Sequence, residues 1–161
     1  LYRGRAGSAR EFGGLVTHPE AVDPARQGTG SYERYASTSA LVARVTALYP
    51  ALTTGRDIFA HLNDPTIKKE VDAWIREVAC GIISLIHAFD PALVVLGGGI
   101  MGEPYILGQL ERVTAPMVKP SFRGCRVVPA ALGNNAGLMG AGYLAASIGS
   151  GWHPPRSDRT V

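Results

Sequence analysis

The sequence has few of the residues that build disulfide frameworks or metal sites. It contains 2 cysteines and 4 histidines among 161 residues, and the histidines show no spacing typical of metal ligands. Two cysteines cannot complete a thiolate zinc cage, so we interpret Cys80 and Cys125 as small buried hydrophobic residues. The low cysteine count disfavours a disulfide-stapled class, and a reducing cytoplasm is the simplest predicted location.

Long apolar runs and blocks of one charge sign are also absent. No uninterrupted apolar run is long enough to span a bilayer, and no secretory signal pattern is recognisable. The net charge is +3, and the 16 basic residues are spread along the chain. Nucleic-acid binding normally needs a basic face. The composition therefore indicates a globular domain with no nucleic-acid or membrane partner of its own.

Hydrophobic periodicity predicts an α/β domain. Helices are predicted over residues 31–49, 54–62, 65–89, 104–117 and 136–148. Strands are predicted over residues 14–17, 92–96 and 125–129. The tail, residues 149–161, is polar and is predicted to be poorly ordered. The order helix, strand, glycine loop, helix, strand, helix implies a parallel sheet with right-handed crossovers.

Burial is predicted for two segments of this domain. The second half of the long helix, residues 78–88, is apolar nearly all round, which predicts that it lies inside the core. Residues 92–96 form a continuous β-prone run that predicts a strand buried on both faces. Local signals bound the long helix, since Asp64 followed by Pro65 starts it and Asp90 followed by Pro91 ends it.

The strand over residues 92–96 runs into three consecutive glycines, Gly97, Gly98 and Gly99. Ligands of open α/β sheets bind beyond the carboxyl ends of the strands, where glycine lets the backbone approach an anion. A tight turn that needs positive φ explains the same glycines equally well. Gly102 completes a G-x-G-x-x-G match, but no carboxylate ends the next strand, which disfavours a dinucleotide-binding oxidoreductase. The phosphate-loop pattern G-K-[ST] is absent.

A second glycine-rich segment covers residues 132–141 (LGNNAGLMGA). Small residues there allow the following helix to pack closely on its neighbours. Asn135, or the N-terminus of that helix, could instead line a nucleotide or phosphate pocket.

Two carboxylates stand in the glycine-rich N-terminal part of the chain, Glu11 and Glu33. Carboxylates in such loops suit neutral polyols, because they accept hydrogen bonds from hydroxyl groups. A surface charge is the simpler interpretation of each, and helix capping competes for Glu33.

Four blocks of the sequence together resemble the ROK family (repressors, uncharacterised reading frames and kinases). Residues 4–14 (GRAGSAREFGG) resemble its G-x-x-G-x-A-G-E-x-G-H segment, and residues 30–37 (GSYERYAS) resemble G-C-x-E-x-Y-A-S. Residues 90–99 (DPALVVLGGG) resemble D-P-x-x-I-V-L-G-G-G, and residues 132–141 resemble L-G-N-x-A-G-L-x-G-A. The blocks occur in family order.

The resemblance implies an actin-like ATPase (ribonuclease H-like) fold, with residues 1–148 as the C-terminal domain of a ROK-type sugar kinase. It implies a homodimer and phosphorylation of a hexose or N-acetylhexosamine with ATP and Mg²⁺. Glu11 and Glu33 fall at sugar-contacting positions. Gly97, Gly98 and Gly99 fall on the nucleotide side, where Asn135 is our further candidate.

Two departures from the family pattern bear on function. Gly14 stands at the position of a zinc-binding and sugar-contacting histidine, and Ser31 stands at that of a zinc-binding cysteine. We therefore predict no structural zinc. The family's first phosphate loop and catalytic aspartate belong to an N-terminal lobe that this sequence does not cover. No catalytic residue is assigned here, and the polypeptide alone is expected to be inactive.

The resemblance leaves one alternative function. ROK transcriptional repressors share this half as a sugar-sensing domain and add an N-terminal helix-turn-helix, which would bring nucleic acid as a partner. Repressors usually keep the zinc cysteines, so their loss favours a kinase.

Overall fold

The computed structural model describes residues 4–6, 9 and 11–150, with the side chains of residues 134 and 148–150 left aside. The described part is rich in α-helix and contains a small parallel sheet. Its helices and strands are α1 (Tyr32–Ala36), α2 (Thr38–Leu48), α3 (Gly55–Ala60), α4 (Pro65–Phe89), β1 (Leu93–Leu96), α5 (Pro104–Met117), β2 (Arg126–Pro129) and α6 (Ala136–Ser150). The predicted α/β class and parallel pairing are confirmed.

Helix α4 begins and ends where the sequence predicts. The Asp64 carboxylate accepts the backbone N–H groups of Thr66 and Ile67 at 2.7 and 3.2 Å, which satisfies two donors that a helix start leaves free. The hydrogen bond from the Ile67 N–H, and to a smaller extent that from the Thr66 N–H, lowers the pKa of this carboxyl. At the other end Asp90 adopts the left-handed conformation with φ of 43°, which turns the chain toward β1.

The hydrophobic core is organised around α4. The helix packs on α1, α2 and α5, and Trp74 lies at its centre with 0% exposure. The indole N–H donates to the carbonyl oxygens of Ala36 and Ser37 at 3.1 and 3.0 Å. Trp74 therefore ties α4 to the junction between α1 and α2.

That junction corrects one sequence prediction. A single helix was expected over residues 31–49, but the chain leaves the helical conformation at Ser37, with φ of −71° and ψ of 156°. The Ser37 side chain accepts the N–H of Ala40 at 3.2 Å and so caps a new helix. Interrupting the helix here costs little free energy, because the serine side chain supplies the backbone with this local hydrogen bond.

The sheet pairs β1 with β2 in parallel, with Leu93 opposite Arg126 and Leu96 opposite Pro129. Burial alternates along β1, so the prediction that it is buried on both faces is wrong for the described residues. Val94 and Leu96 face the helices, whereas Leu93 and Val95 are 45% and 55% exposed. One face of the sheet is covered by helices and the other is open.

Helix α6 is also largely uncovered. It packs chiefly on the 3-10 turn that precedes it, and its apolar side chains stay accessible, with Leu138 76% and Leu144 63% exposed. We refer to these two leucines, together with Leu93 and Val95 on β1, as the outer apolar residues. Monomeric soluble proteins rarely leave large apolar areas open, so the outer apolar residues are an unusual surface.

Four smaller predictions also need correction. Residues 14–17 form no strand, because a 3-10 turn over Phe12–Gly14 is followed only by a single bridge between Val16 and Ser31. Cys80 is exposed and Cys125 is half-buried, so the predicted burial of both thiols is wrong. On α4, Ser84 and Ala88 are exposed, so the prediction that residues 78–88 lie inside the core on nearly all sides is wrong for one face of the helix. The predicted tail starts inside α6, which reaches Ser150, and residues 151–161 lie outside the described residues.

Candidate functional site

The glycine turn after β1 presents its backbone openly. Gly97, Gly98 and Gly99 are all exposed, and Gly98 has φ of 121°, a conformation that side-chain-bearing residues avoid. The Gly98 carbonyl accepts the N–H of Met101 at 3.2 Å, which closes the turn toward α5. The expectation of positive φ is therefore met at Gly98, and the turn leaves room for a ligand to approach the main chain.

The loop after β2 lies against the same edge of the sheet. The N–H of Ala130 donates to the carbonyl oxygen of Leu96 at 2.8 Å, so the chain after β2 starts beside the glycine turn. The loop continues into a 3-10 turn over Gly133–Asn135 and then into α6. The structure thus brings the Gly97 to Gly99 turn and the loop that carries the exposed Asn135 to one edge, as parallel pairing requires.

A buried residue anchors this edge to the helical layer. Ile100 follows the glycines and is only 7% exposed. It packs on Gly55 at the start of α3, where a Cβ atom would lie 2.5 Å from the Ile100 Cγ2 atom. Gly55 therefore makes room for the side chain that fixes the glycine turn. Sequence reasoning did not single out either residue.

Glu11 and Glu33 lie on neighbouring segments of the chain. Glu11 precedes the Phe12–Gly14 turn, and Glu33 lies in the first turn of α1. The Tyr32 N–H donates to the Leu15 carbonyl at 2.7 Å, which joins the two segments. Both carboxylates are exposed, and neither forms an ion pair among the described residues. Ser31 occupies the cap position of α1, but its hydroxyl donates to Gly28.

Gly13 sets how closely Glu33 approaches this turn. A Cβ atom on Gly13 would lie 3.2 Å from Oε2 and 3.3 Å from Cβ of Glu33, whereas a Cβ on Gly14 would meet nothing within 4 Å. Neither glycine has positive φ. The Glu33 carboxylate therefore uses space that exists because Gly13 lacks a side chain.

Replacing Gly13 with alanine should displace the Glu33 side chain, because its Cβ and carboxylate must both yield by a few tenths of an ångström. We expect NMR chemical-shift changes at Glu33 and a stability loss of at most about 1 kcal/mol. Gly14→Ala is the matched control and should leave the Glu33 signals in place. Equal changes in the two variants would contradict the proximity of Gly13 and Glu33.

Tyr32 positions the helix that carries Glu33. Its hydroxyl donates to the Val78 carbonyl of α4 at 2.9 Å, and its ring lies directly over Gly81. Burial, reinforced by the nearby Cys80 and Glu77, raises the pKa of Tyr32 to about 12. A glycine in the middle of a long helix is costly, so Gly81 was a sequence signal that could have revealed this contact.

His18 connects the segment over residues 18–30 to α1 and α4. Its ring stacks on Tyr35 with centroids 3.6 Å apart, and its Nε2 atom lies 3.6 Å from a carboxylate oxygen of Glu77 on α4. Phe12 makes an edge contact with Phe89, with ring centroids 5.4 Å apart. Among the described residues, no hydrogen bond, ion pair or ring contact joins the two glutamates to the glycine turn.

The described side chains contain no group of three His, Cys, Asp or Glu residues placed to hold a metal ion. The absence of structural zinc stays a prediction. No helix in the described part is both long and apolar enough to cross a membrane.

The comparison with known protein families assigns the chain to one family. The family model described as "ROK family" matches residues 1–148, and the chain belongs to the ROK family.

Curated relatives include several sugar kinases. A beta-glucoside kinase of Listeria innocua is 31% identical over 153 residues, covering 89% of this chain and 49% of that protein. A glucokinase of Streptomyces coelicolor is 30% identical over 168 residues, covering 90% of this chain and 53% of that protein. The chain thus spans about half the length of the curated relatives it matches. A xylose repressor of Bacillus spizizenii is 25% identical over 144 residues, with coverage of 87% and 37%.

Solved structures agree on the fold. A ROK family glucokinase from Streptomyces griseus, in complex with glucose and AMPPNP, superposes with a TM-score of 0.75 at 28% identity. That match covers 89% of this chain and 53% of the glucokinase chain. A ROK hexokinase from Thermus thermophilus gives a TM-score of 0.71 at 29% identity, with coverage of 91% and 51%. The fold of this chain is therefore that of ROK hexokinases and glucokinases.

Proposed function

We propose that this chain is the C-terminal half of an ATP-dependent sugar kinase, with a hexose or N-acetylhexosamine as the phosphate acceptor. The observation that carries the proposal is the shared edge at which the Gly97 to Gly99 turn and the Asn135 loop meet through the Ala130 to Leu96 hydrogen bond. Its position beyond the strand ends suits a nucleotide phosphate group. The ATP analogue in the related glucokinase supports ATP as the donor.

The proposed roles follow from the chemistry of each group. The exposed main chain at Gly97, Gly98 and Gly99 would accept the nucleotide, and Asn135 would offer an amide beside it. Glu11 and Glu33 would accept hydrogen bonds from sugar hydroxyls, since both are exposed carboxylates without an ion-pair partner among the described residues. Mg²⁺ would neutralise the phosphate charge during transfer, and no ligand for it is assigned in this chain.

The outer apolar residues support the proposal that a second lobe completes the enzyme. Leu138 and Leu144 on α6 and Leu93 and Val95 on β1 are too exposed for a finished surface. We propose that the half of the relatives' length that this chain does not match covers them and supplies the catalytic aspartate. Phosphoryl transfer depends on positioning and charge stabilisation, so the 161-residue chain should show no turnover alone. A cytoplasmic homodimer is part of the proposal.

The alternative is the sugar-sensing domain of a ROK repressor, which the similarity to the xylose repressor keeps open. Gly14 and Ser31 at two zinc-ligand positions favour the kinase. The two functions differ in their use of nucleotide, since only a kinase needs the glycine turn to hold ATP.

The test of the proposal is a calorimetric titration with AMPPNP, paired with an ATP-coupled assay on a panel of sugars. Gly98→Ala forces a side chain into a positive-φ conformation that costs about 1–3 kcal/mol. The turn should therefore relax to another conformation, which should weaken nucleotide binding roughly tenfold. Gly102→Ala is the matched control, because its Cβ meets nothing within 4 Å and its φ is not positive.

Three outcomes would count against the proposal. If Gly98→Ala bound the nucleotide with undiminished affinity, the glycine turn would not be part of the nucleotide site. Sugar binding without any nucleotide binding in the unsubstituted chain would favour the sensing domain. Turnover by the purified 161-residue chain, free of contaminating kinase, would overturn the need for a second lobe.

A further inference from the structure

A separate cavity lies between α5 and β2. Its volume is about 680 Å³, which falls in the range of small-molecule sites. The floor consists of the buried side chains Ile86, Leu110 and Val118. None of the glutamates and glycines of the proposed sugar and nucleotide sites lines it. The cavity is therefore a second concave surface, and the proposed kinase function does not use it.

The charged groups at the mouth of this cavity favour an anion. Arg123 and Arg126 line the mouth and are exposed, and neither guanidinium forms an ion pair among the described residues. Glu111 is the single carboxylate in the lining. The Thr114 hydroxyl is already engaged, since it donates to the Leu110 carbonyl at 2.8 Å. Within the lining, two guanidinium groups stand against one carboxylate over an apolar floor, and the Asp90 carboxylate acts on the Cys125 thiol from outside the lining.

The edge of β2 disfavours an extended peptide as the occupant. The N–H groups of Arg126 and Ala130 donate to Ala92 and Leu96 on the β1 side, so Val127 and Pro129 present their backbone to the cavity side. Proline has no N–H group to donate, so it disfavours the pairing of another strand at this edge. An added strand would find only the Val127 N–H as a backbone donor within β2. A small molecule does not depend on a ladder of backbone hydrogen bonds.

We propose that this cavity binds a small organic carboxylate with an apolar body. The apolar body lies on the aliphatic floor, and the carboxylate pairs with Arg123 and Arg126 at the mouth. Guanidinium groups match carboxylate geometry and form charge-assisted hydrogen bonds. Cys125 lies in the cavity wall and is half-buried, so an occupant shields its thiol.

The experiment uses 3-phenylpropionate as the probe and neutral 3-phenylpropanamide as its matched control. Alkylation of Cys125 is followed by mass spectrometry, with the exposed Cys80 on α4 as the internal reference. We expect the carboxylate to slow Cys125 alkylation severalfold and to leave Cys80 unchanged. The amide should bind at least about tenfold more weakly, because it cannot form charge-assisted hydrogen bonds.

Variants assign the effect to the cavity. The double substitution Arg123→Gln and Arg126→Gln should weaken probe binding by at least about tenfold, whereas Arg112→Gln, an exposed change outside the lining, should not. Ala115→Trp should fill the groove and abolish protection.

Three outcomes would overturn the proposal. They are no protection of Cys125, equal protection by the amide and the carboxylate, and full affinity in the double arginine variant. The arginine changes are at the surface, so they test the proposal even if Ala115→Trp fails to fold.

Discussion

Trp74→Ala should lower the free energy of unfolding by about 3–5 kcal/mol, the usual range for removing a fully buried large aromatic side chain. Trp74 is 0% exposed and lies where α4 meets the junction of α1 and α2. Its removal opens a cavity and leaves the Ala36 and Ser37 carbonyls without their indole donor. Urea unfolding followed by circular dichroism measures the change without relying on tryptophan emission.

Two further variants separate packing from hydrogen bonding at this position. Trp74→Phe retains most of the volume but loses the donor, so it should cost about 1–3 kcal/mol. Phe89→Ala controls for removal of an aromatic ring, since Phe89 is 60% exposed. A Phe89→Ala loss as large as that of Trp74→Ala would show that Trp74 is not the centre of the core.

Gly81→Ala should destabilise the protein even though alanine favours helix by about 1 kcal/mol over glycine. A Cβ atom at this position would lie 2.5 Å from both Cε2 and Oη of Tyr32, so the ring must leave α4. Overpacking of this kind costs about 1–3 kcal/mol, and the hydrogen bond to Val78 is lost in addition. We expect a net loss of about 1–2 kcal/mol in urea unfolding.

Gly108→Ala is the matched control for that change. Gly108 also lies inside a helix, but its Cβ would meet nothing within 4 Å, so alanine should stabilise by up to about 1 kcal/mol. Opposite signs in the two variants identify Tyr32 as the cause. Stabilisation by Gly81→Ala would contradict the packing of Tyr32 on α4.

The same displacement should appear in the titration of Tyr32. Burial raises the pKa of its hydroxyl to about 12 from the ordinary value of 10.0. The neutral hydroxyl therefore contributes stability that is fully present below pH 10 and is lost as the pH rises toward 12. In Gly81→Ala the ring becomes more exposed, so ultraviolet titration should show one tyrosine ionising at lower pH than in the unsubstituted protein.

Elements fixed by local chemistry were predictable from the sequence. The start of α4 follows from a capping aspartate and a proline at Asp64 and Pro65, which need no distant partner. The order of β1, the glycine turn, α5 and β2 follows from a parallel crossover, which has one common geometry. The glycine turn and the Asn135 loop follow the carboxyl ends of two strands, and parallel pairing brings such loops to one edge of a sheet.

Features that depend on distant contacts were not predictable in the same way. The helical stripe continues through Ser37, so periodicity could not show that a side-chain cap divides the segment. The exposure of Leu93 and Val95 depends on what covers the second face of the sheet. A run of apolar residues does not show whether that face is covered. The packing of Tyr32 on Gly81 joins residues far apart in sequence, and the roles of Glu11 and Glu33 stay predictions.

The open side of β1 has a consequence for handling the chain in isolation. Within the described part, β1 pairs only with β2, so its other edge offers free hydrogen-bonding groups. Its residues Leu93–Leu96 read LVVL, with no charge and no proline. Charged residues and proline are the features that discourage intermolecular strand pairing at an edge. A short apolar β-prone segment of this kind is an aggregation hazard. Purification at low concentration, or a charged substitution at exposed Val95, should therefore reduce precipitation.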